Sequence, residues 1–279
     1  MRVLLLTPAP DHPLLAAATA LLTPHHTVDW LDPSGDGDHP LPDPGPADVC
    51  LLKSRTPRAL ALARTLEERG VPVLNSAAST ELCQDRTAMA ELAQRAGLPF
   101  AATRTLPALS DLVLDGTPVV VKSRHSRRHD LVARVDDERE LRTLTESWGD
   151  EPVVVQPFTP NPGWDHKMWV VGDRVFAGLR RSELATAAAG IPEKHTRTVD
   201  LGDLPADWLE TVRRAGEVFA LDVYGVDLLD SGGEPLIVDI NAFPGIRGQK
   251  GAPEALADLT LRTAASRHRP RRVPEAAGL

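Results

Sequence analysis

Three oxygen-bearing side chains near the carboxyl end have the spacing of a metal site. Asp239 and Asn241 are two residues apart on a predicted strand, so both point to one face while Ile240 turns to the other. Asp227 lies on the preceding predicted strand, which pairs with it as a hairpin. Two carboxylates and an amide oxygen suit Mg²⁺ when phosphates and water complete its coordination. The alternative is a solvent-facing group of polar residues, although acids on one face repel unless a cation neutralises them.

Two lysines stand where they could bind phosphates. Lys122 follows a run of three valines, and Lys167 begins the apolar run Lys-Met-Trp-Val-Val. If their strands belong to sheets that face each other, the two ammonium groups would form a cationic clamp. The alternative for each is a lysine that protects the edge of a strand from pairing.

Further cations follow these strands. Residues 123–129 hold three arginines and two histidines, and this segment either folds over phosphates or forms a solvated basic turn. Arg180 and Arg181 end a predicted hairpin strand and are further candidates for binding an anion. Gly245 lies in the turn after Asn241, where a glycine permits close approach of the backbone to a ligand.

Composition excludes several classes of protein. The chain has 279 residues, 42% apolar and 25% charged, so it is neither disordered nor a stapled miniprotein. A net charge of −8 argues against a nucleic-acid partner, and no apolar stretch is long enough to predict a membrane span. The first residues predict a buried strand rather than a targeting peptide. Two cysteines within apolar stretches, Cys50 and Cys83, suit a reducing cytoplasm.

Familiar catalytic signatures are absent from the sequence. It contains no Walker A loop, no strand-borne G-x-G-x-x-G, no G-x-S-x-G, no H-E-x-x-H and no C-x-x-C. None of the nine histidines shows zinc-ligand spacing. These absences argue against P-loop, Rossmann-dehydrogenase, serine-hydrolase and zinc-enzyme interpretations.

The elements that position these residues predict a mixed α/β and α+β fold. Residues 1–80 alternate strands and helices, which indicates a small parallel α/β domain. Residues 81–157 and 158–265 predict two α+β units with antiparallel pairing. Within the second, residues 182–203 lack periodicity and predict a long loop. Residues 266–279 are predicted to be a flexible tail.

Local signals place several helix ends. Thr56 and Pro57 predict the N-cap and first residue of one helix. A second helix is predicted over 85–96. Asp136 is the predicted cap of a third helix that ends near Trp148, and a fourth is predicted over 206–221.

Read in chain order, the motifs resemble the ATP-grasp superfamily along nearly the whole sequence. Residues 165–172 read DHKMWVVG, residues 224–227 read YGVD, and residues 238–245 read VDINAFPG. The last run resembles inositol polyphosphate kinases, as does RHDL at residues 128–131. Residues 165–181 look more like the glutamate ligases that modify a ribosomal protein and like related peptide-bond-forming enzymes.

The resemblance implies an ATP-grasp fold, with a small domain before two subdomains that enclose ATP, and roles for twelve residues. The residues implied to bind ATP are the two lysines and a hinge segment beside adenine, Lys122, Lys167, Gln156, Pro157 and Phe158. The residues implied to hold Mg²⁺ are Asp227, Asp239 and Asn241. Those implied to lie toward the acceptor are His129, Arg180, Arg181 and Gly245. Arg180 would stabilise charge during transfer, and His129 would be the base for a hydroxyl acceptor.

The implied activity is an ATP- and Mg²⁺-dependent carboxylate–amine ligase that forms an acyl phosphate on a small-molecule or peptide acceptor. One alternative is a small-molecule kinase that acts on a substrate like an inositol phosphate. Another is a nucleotide-binding module without turnover, because the loop after Lys122 is short and rich in Arg and His where the superfamily usually has a glycine-rich or longer loop.

Overall fold

The amino-terminal part of the chain forms a parallel sheet. A computed structural model describes residues 1–34, 41–127, 129–182, 184 and 196–273. The strands of the first sheet are β1 (Arg2–Leu6), β2 (Thr27–Leu31), β3 (Val49–Leu52) and β4 (Val73–Leu74). They are all parallel and lie in the order β2-β1-β3-β4. The predicted parallel α/β arrangement is confirmed.

Two helices cover opposite faces of this sheet. Helix α1 (Pro13–Leu22) shares a core with Leu5, whereas α2 (Pro57–Glu68) shares one with Leu6. Successive strand residues point to opposite faces, so the alternation in β1 assigns each helix to one side. The Thr56 hydroxyl accepts a hydrogen bond from the amide of Ala59, which confirms the predicted cap of α2.

The middle of the chain forms an antiparallel sheet of four strands. They are β5 (Arg104–Leu106), β6 (Val119–Ser123), β7 (Val132–Val135) and β8 (Val153–Pro157), in the order β5-β8-β6-β7. Helix α5 (Glu138–Trp148) packs on one face of it. The Asp137 carboxylate caps α5 by accepting from the amide of Glu140, so the predicted cap at Asp136 is wrong by one residue. Asp136 instead pairs with Arg134.

A third sheet carries half of the predicted site residues. Its strands are β9 (Trp164–Val171), β10 (Arg174–Arg181), β11 (Thr196–Val199), β12 (Val223–Ser231) and β13 (Glu234–Ala242). They are antiparallel in the order β11-β10-β9-β12-β13. The predicted pairing of β9 with β10 is confirmed. Each sheet comes from one of the three predicted segments, whose limits stay predictions.

The remaining helices pack around these sheets. They are α3 (Ala77–Leu82), α4 (Arg86–Arg95), α6 (Ala206–Val218) and α7 (Ala252–Ala264). Helices α4 and α6 share a core with the face of the third sheet that bears Met168 and Val226. Helix α7 shares another core with α1 and the opposite face. In the part of the chain described here, no helix is both apolar and long enough to cross a membrane.

Two sequence-based expectations are wrong where the structure describes them. Within the predicted loop 182–203, residues 196–199 form β11, because they pair with β10, and Leu201–Asp203 form a short 3-10 helix. Helix α6 also ends at Val218 rather than near residue 221. Residues 183 and 185–195 lie outside the described residues.

The first part of the predicted flexible tail is attached to the fold. The buried Asp222 carboxylate lies 3.0 Å from His268 Nε2 and accepts from the amide of Arg271 at 2.9 Å. The guanidinium of Arg271 also donates to the carbonyl of Leu221 at 2.7 Å. These contacts join His268 and Arg271 to the third sheet, and residues 274–279 lie outside the described residues.

One buried amide joins the first and third sheets. The Asn75 side chain accepts hydrogen bonds from the amides of Asp222 and Val223, both at 2.8 Å. It also donates to the carbonyl of Val223 at 2.6 Å, and Asn75 is fully buried. Because Asn75 follows β4 and Val223 begins β12, these bonds fix the first sheet against the third.

Candidate functional site

A cleft of about 920 Å³ lies between the middle and third sheets, and loops of the first sheet contribute to its lining. Ten of the twelve predicted site residues line it. They are Lys122, Gln156, Pro157, Phe158, Lys167, Arg180, Asp227, Asp239, Asn241 and Gly245. His129 and Arg181 are not among the described residues that line the cleft.

Lys122 reaches across the cleft to the opposite sheet. The β12–β13 register pairs Asp227 with Asp239 and then Leu228 with Ile237, so Val238 is the extra residue of a β-bulge. The Lys122 ammonium donates to the Val238 carbonyl at 2.8 Å. Burial lowers the pKa of Lys122, against the opposing effect of the Asp239 carboxylate. The two lysines therefore lie on different sheets that both line the cleft, which is the condition for the cationic clamp.

Lys167 is held between two carboxylates. Its ammonium lies 2.7 Å from the carboxylate of Asp227 and 3.4 Å from that of Asp165. Burial opposes its charge, but these carboxylates raise the pKa of Lys167 above its ordinary value. Lys167 lies inside β9 rather than at its start, because the strand begins at Trp164. Its positive charge is therefore fixed at the third sheet.

The three predicted metal ligands share one face. Asp227 lies opposite Asp239 in the register, and Ile240 is fully buried on the other face, as predicted. Burial raises the pKa of Asp227 despite the neighbouring Lys167. Among the described residues, no hydrogen bond involves the side-chain amide of Asn241, which leaves its oxygen available to the cleft.

The two carboxylates and the amide oxygen of Asp227, Asp239 and Asn241 are a donor set that suits Mg²⁺. No group of three or more His, Cys, Asp or Glu side chains in the described ranges is arranged to hold a metal ion. Two carboxylates and one neutral oxygen leave most of an octahedron for phosphate oxygens and water, which is the usual arrangement for Mg²⁺ at nucleotide sites. The charge of the facing pair, Asp227 and Asp239, requires cations nearby.

Arg86 is a site residue that the sequence reasoning missed. It is 7% exposed, lines the cleft and pairs with Asp130 at 2.7 Å and with Asp239 at 3.8 Å. Its Nη1 also donates to the carbonyl of Ser123, while its buried Nε has no hydrogen-bond partner among the described residues. Arg86 is the first residue of α4, directly after the helix cap Asp85, and no sequence signal indicates it because its partners Asp130 and Asp239 are distant in the chain.

The predicted hinge segment lies at the end of β8. Gln156 is buried, and its amide donates to the Thr103 hydroxyl at 3.0 Å. The amide of Phe158 donates to the carbonyl of Pro118, and the Arg134 guanidinium lies 3.8 Å from the Phe158 ring centroid. All three residues of this segment line the cleft, and Pro157 and Phe158 add apolar surface to it.

The basic segment after β6 is already neutralised in part. Arg124 pairs with Asp85 at 2.7 Å, and Arg127 pairs with Glu151 at 2.7 Å. His129 is exposed and has a φ of 59°, and Arg128 lies outside the described residues. The described arginines of this segment are therefore bound within the fold rather than left without partners for a phosphate.

The two arginines that were predicted to lie toward the acceptor have different surroundings. Arg180 lines the cleft, lies opposite Asp165 in the β9–β10 register and donates to the Thr196 hydroxyl at 3.3 Å. Arg181 instead lies over the Trp164 ring, 5.7 Å from its centroid. Arg180 is thus the arginine that the fold brings toward Lys167.

Gly245 allows close packing against the first sheet's loops. A methyl group at this position would lie 2.9 Å from Nε2 of His12, so a larger residue would displace the imidazole. The close contact that the structure shows at Gly245 is with His12, whereas approach of its backbone to a ligand stays a prediction.

The cleft is cationic in an acidic chain. Seven lysine and arginine side chains and four aspartates are among its described lining residues, whereas the whole chain carries −8. Such a local excess attracts anions and focuses the field within the cleft.

Comparisons with known proteins show the family of the chain. Residues 101–257 match the RimK-like ATP-grasp domain. The chain is similar to the "Probable alpha-L-glutamate ligase 2" of Shewanella sp. (strain W3-18-1), with 26% identity over 201 residues, 69% of this chain and 66% of that protein. It also resembles the "Probable alpha-L-glutamate ligase" of Stutzerimonas stutzeri (strain A1501), with 26% identity over 197 residues, 67% of this chain and 65% of that protein. The matches span just under two thirds of these relatives' own length.

Solved structures show the same fold. The RimK domain ATP-grasp protein of Sphaerobacter thermophilus DSM 20745 superposes with a TM-score of 0.71 at 25% identity, over 94% of this chain and 100% of that one. The D-alanine–D-alanine ligase of Bacillus anthracis complexed with ATP has a TM-score of 0.69 at 17% identity, over 95% of this chain and 98% of that one. The family match covers more than half of the sequence, and the chain belongs to the RimK-like ATP-grasp family.

Proposed function

We propose that the protein is an ATP- and Mg²⁺-dependent carboxylate–amine ligase. One observation carries the proposal: in a single cleft, Lys122 of the middle sheet bonds to the strand that bears Asp239, and Lys167 of the third sheet lies beside Asp227. Ammonium groups facing a magnesium-type oxygen set are what binding of a nucleoside triphosphate requires, because its phosphates need several positive charges.

The lysines and the carboxylates have different proposed roles. Lys122 and Lys167 would hold the phosphates, and Gln156 to Phe158 would flank the adenine. Asp227, Asp239 and Asn241 would hold Mg²⁺, which supplies charge neutralisation on the phosphates. Arg180 would stabilise the charge that develops on the transferred group.

The proposed reaction has two steps. An oxygen of the acceptor carboxylate attacks the γ-phosphorus of ATP, ADP leaves, and an acyl phosphate forms. The amine nitrogen then attacks the acyl carbon, phosphate leaves, and one proton is lost as the amide forms. An ionised carboxylate needs no base in the first step, so positioning and charge neutralisation are sufficient.

The similar proteins support a ligase and a carboxylate substrate. The curated relatives are named alpha-L-glutamate ligases, and a solved neighbour is a D-alanine–D-alanine ligase. On this basis we propose a small-molecule or peptide acceptor. The kinase alternative loses its assigned base, because His129 does not line the cleft among the described residues.

The test is ATP turnover with a trap for the intermediate. The protein is incubated with ATP, Mg²⁺, a pool of carboxylic acids and hydroxylamine, which captures acyl phosphates as hydroxamates. We expect ADP and hydroxamates to form together, with loss of about 100-fold or more in Lys122→Met when a charge that stabilises the transition state is removed. Arg95→Gln changes an exposed cation that pairs with Glu91 outside the cleft and is the matched control.

Two results would contradict the proposal. A stable phosphorylated product without hydroxamate would identify a kinase. ATP binding without ADP from any acid in the pool would identify a nucleotide-binding module.

A further inference from the structure

The first sheet has a topological switch point that opens toward the cleft. Strands β1 and β3 are neighbours, and the helices that follow them, α1 and α2, lie on opposite faces of the sheet. The loops after the two strands therefore diverge and leave a crevice at their carboxyl ends, the place where open α/β sheets bind ligands. Thr7, Lys53 and Arg55 from these loops line the cleft, together with Phe243 and Gly245 of the third sheet's final turn.

Lys53 is the central cation of this crevice. Its ammonium donates to the carbonyl of Phe243 at 2.8 Å and lies 5.3 Å from the Phe243 ring centroid. The described part of the chain contains no ion pair to Lys53. Burial, followed by the charges of Arg55 and Arg247, lowers the pKa of Lys53 to about 8. The fold thus crowds a partly buried ammonium against like charges.

The neighbouring cations also lack acidic partners. The Arg55 guanidinium donates to the Ser126 hydroxyl at 3.0 Å, and none of the ion pairs between described residues includes Arg55 or Arg247. Burial, Lys53 and Arg247 lower the pKa of His12 to about 4, although the Asp11 carboxylate opposes this. Elsewhere in the cleft, Lys167 and Arg86 are matched by carboxylates. In the crevice, by contrast, Lys53 and Arg55 are neighbours, and neither is paired with a carboxylate among the described residues.

Unneutralised cations that face a ligand cleft indicate an anionic ligand. Keeping the partly buried Lys53 ammonium close to the positive charge of Arg55 costs free energy, and an anion bound between them would recover it. Arg55 presents a planar fork that suits carboxylate or phosphate, and Lys53 adds a directed point charge.

We propose that Lys53 and Arg55 form a binding subsite for a second anionic group of the substrate, a carboxylate or phosphate separate from the carboxylate that becomes activated. Calling this ligand the substrate rests on the proposed ligase function, whereas the anion subsite itself does not. The substrate class is accordingly an acid with at least two anionic groups.

The competing explanation is structural. Lys53 would only fasten the turn at Phe243 to the first sheet through its hydrogen bond. In that case, substitution of Lys53 would change stability without changing the binding of anions, and Arg55, which does not bond to Phe243, would have no effect.

The experiment measures anion binding directly by titration calorimetry. The probes are glutarate, its neutralised counterpart glutaramate, which keeps one carboxylate, and inorganic phosphate. The proteins are the full-length wild type, Lys53→Met, Arg55→Gln and the control Arg95→Gln. We expect the wild type to bind glutarate or phosphate more tightly than glutaramate. We expect affinity about tenfold lower in Lys53→Met and in Arg55→Gln, since each loses a charge-assisted hydrogen bond, and no change in Arg95→Gln.

The three probes distinguish a carboxylate ligand from a phosphate ligand, and the variants distinguish an anion subsite from the structural explanation. Tighter binding of glutarate than phosphate identifies a carboxylate group, and the reverse identifies a phosphate group. Phosphate held by Lys122 and Lys167 instead would be insensitive to Arg55→Gln, and this result would overturn the inference. Absence of binding, or equal binding of glutarate and glutaramate, would overturn it as well. Arg55 is exposed, so its variant remains informative if Lys53→Met does not fold. Absence of ATP turnover in the wild type would count against the ligase proposal alone.

Discussion

Replacing Lys167 by methionine separates the electrostatic role of this residue from its packing. The Lys167 ammonium lies 2.7 Å from Asp227, and the two side chains are 10% and 22% exposed. At an effective dielectric constant of about 20, two unit charges at this distance attract by ~6 kcal/mol. Desolvation of both groups offsets part of that attraction. The variant also leaves Asp227 facing Asp239 without its nearest cation. We therefore expect Lys167→Met to lower the free energy of unfolding by about 3 kcal/mol.

Urea unfolding followed by tryptophan fluorescence measures this change, since Trp164 and Trp169 lie on the same strand as Lys167. Adding Asp227→Asn to Lys167→Met should recover most of the loss, because the neutral amide no longer needs a cation. Lys250→Met makes the same substitution at an exposed position and is the matched control. A loss below about 1 kcal/mol, or the same loss with Asp227→Asn present, would refute the reasoning.

Three further substitutions test the packing around Asn75 and Gly216 and the lowered pKa of Lys53. Asn75→Ala removes three hydrogen bonds to buried backbone groups at the start of β12 and should cost about 3 kcal/mol of unfolding free energy, and an unchanged urea midpoint would contradict that. Gly216→Ala places a methyl group into the phenol of Tyr224 and should cost about 2 kcal/mol, which a thermal melt equal to the wild type's would refute. Because the pKa of Lys53 is lowered to about 8 from 10.5, the unfolded chain binds more protons between these values. The unfolding free energy of the wild type should therefore rise with pH in this range relative to Lys53→Met, and a constant difference between the two would be the contrary result.

The parts of the site that follow from strand periodicity were predictable from the sequence. Asp239 and Asn241 share a face because they are two residues apart, and Asp227 joins them because the short turn before β13 fixes the pairing. Lys122 was predictable as a cleft residue because it follows a buried strand. These inferences need only local rules.

The parts that depend on packing between distant segments were not predictable. Arg86 meets Asp239 through the docking of α4, across more than half of the chain. The bulge at Val238 that presents a carbonyl to Lys122 has no sequence signal of its own. Asn75 was missed because an isolated asparagine after a short strand predicts a turn, whereas here it bonds to β12.

The central claim is that an acceptor carboxylate takes the γ-phosphoryl group of ATP before an amide forms. The most direct measurement uses the acceptor found in the hydroxylamine trap, with ¹⁸O in both oxygens of its carboxylate. If an acyl phosphate forms and an amine displaces it, one ¹⁸O atom must appear in the released inorganic phosphate. Phosphate that forms with the amide but carries no ¹⁸O would contradict the account.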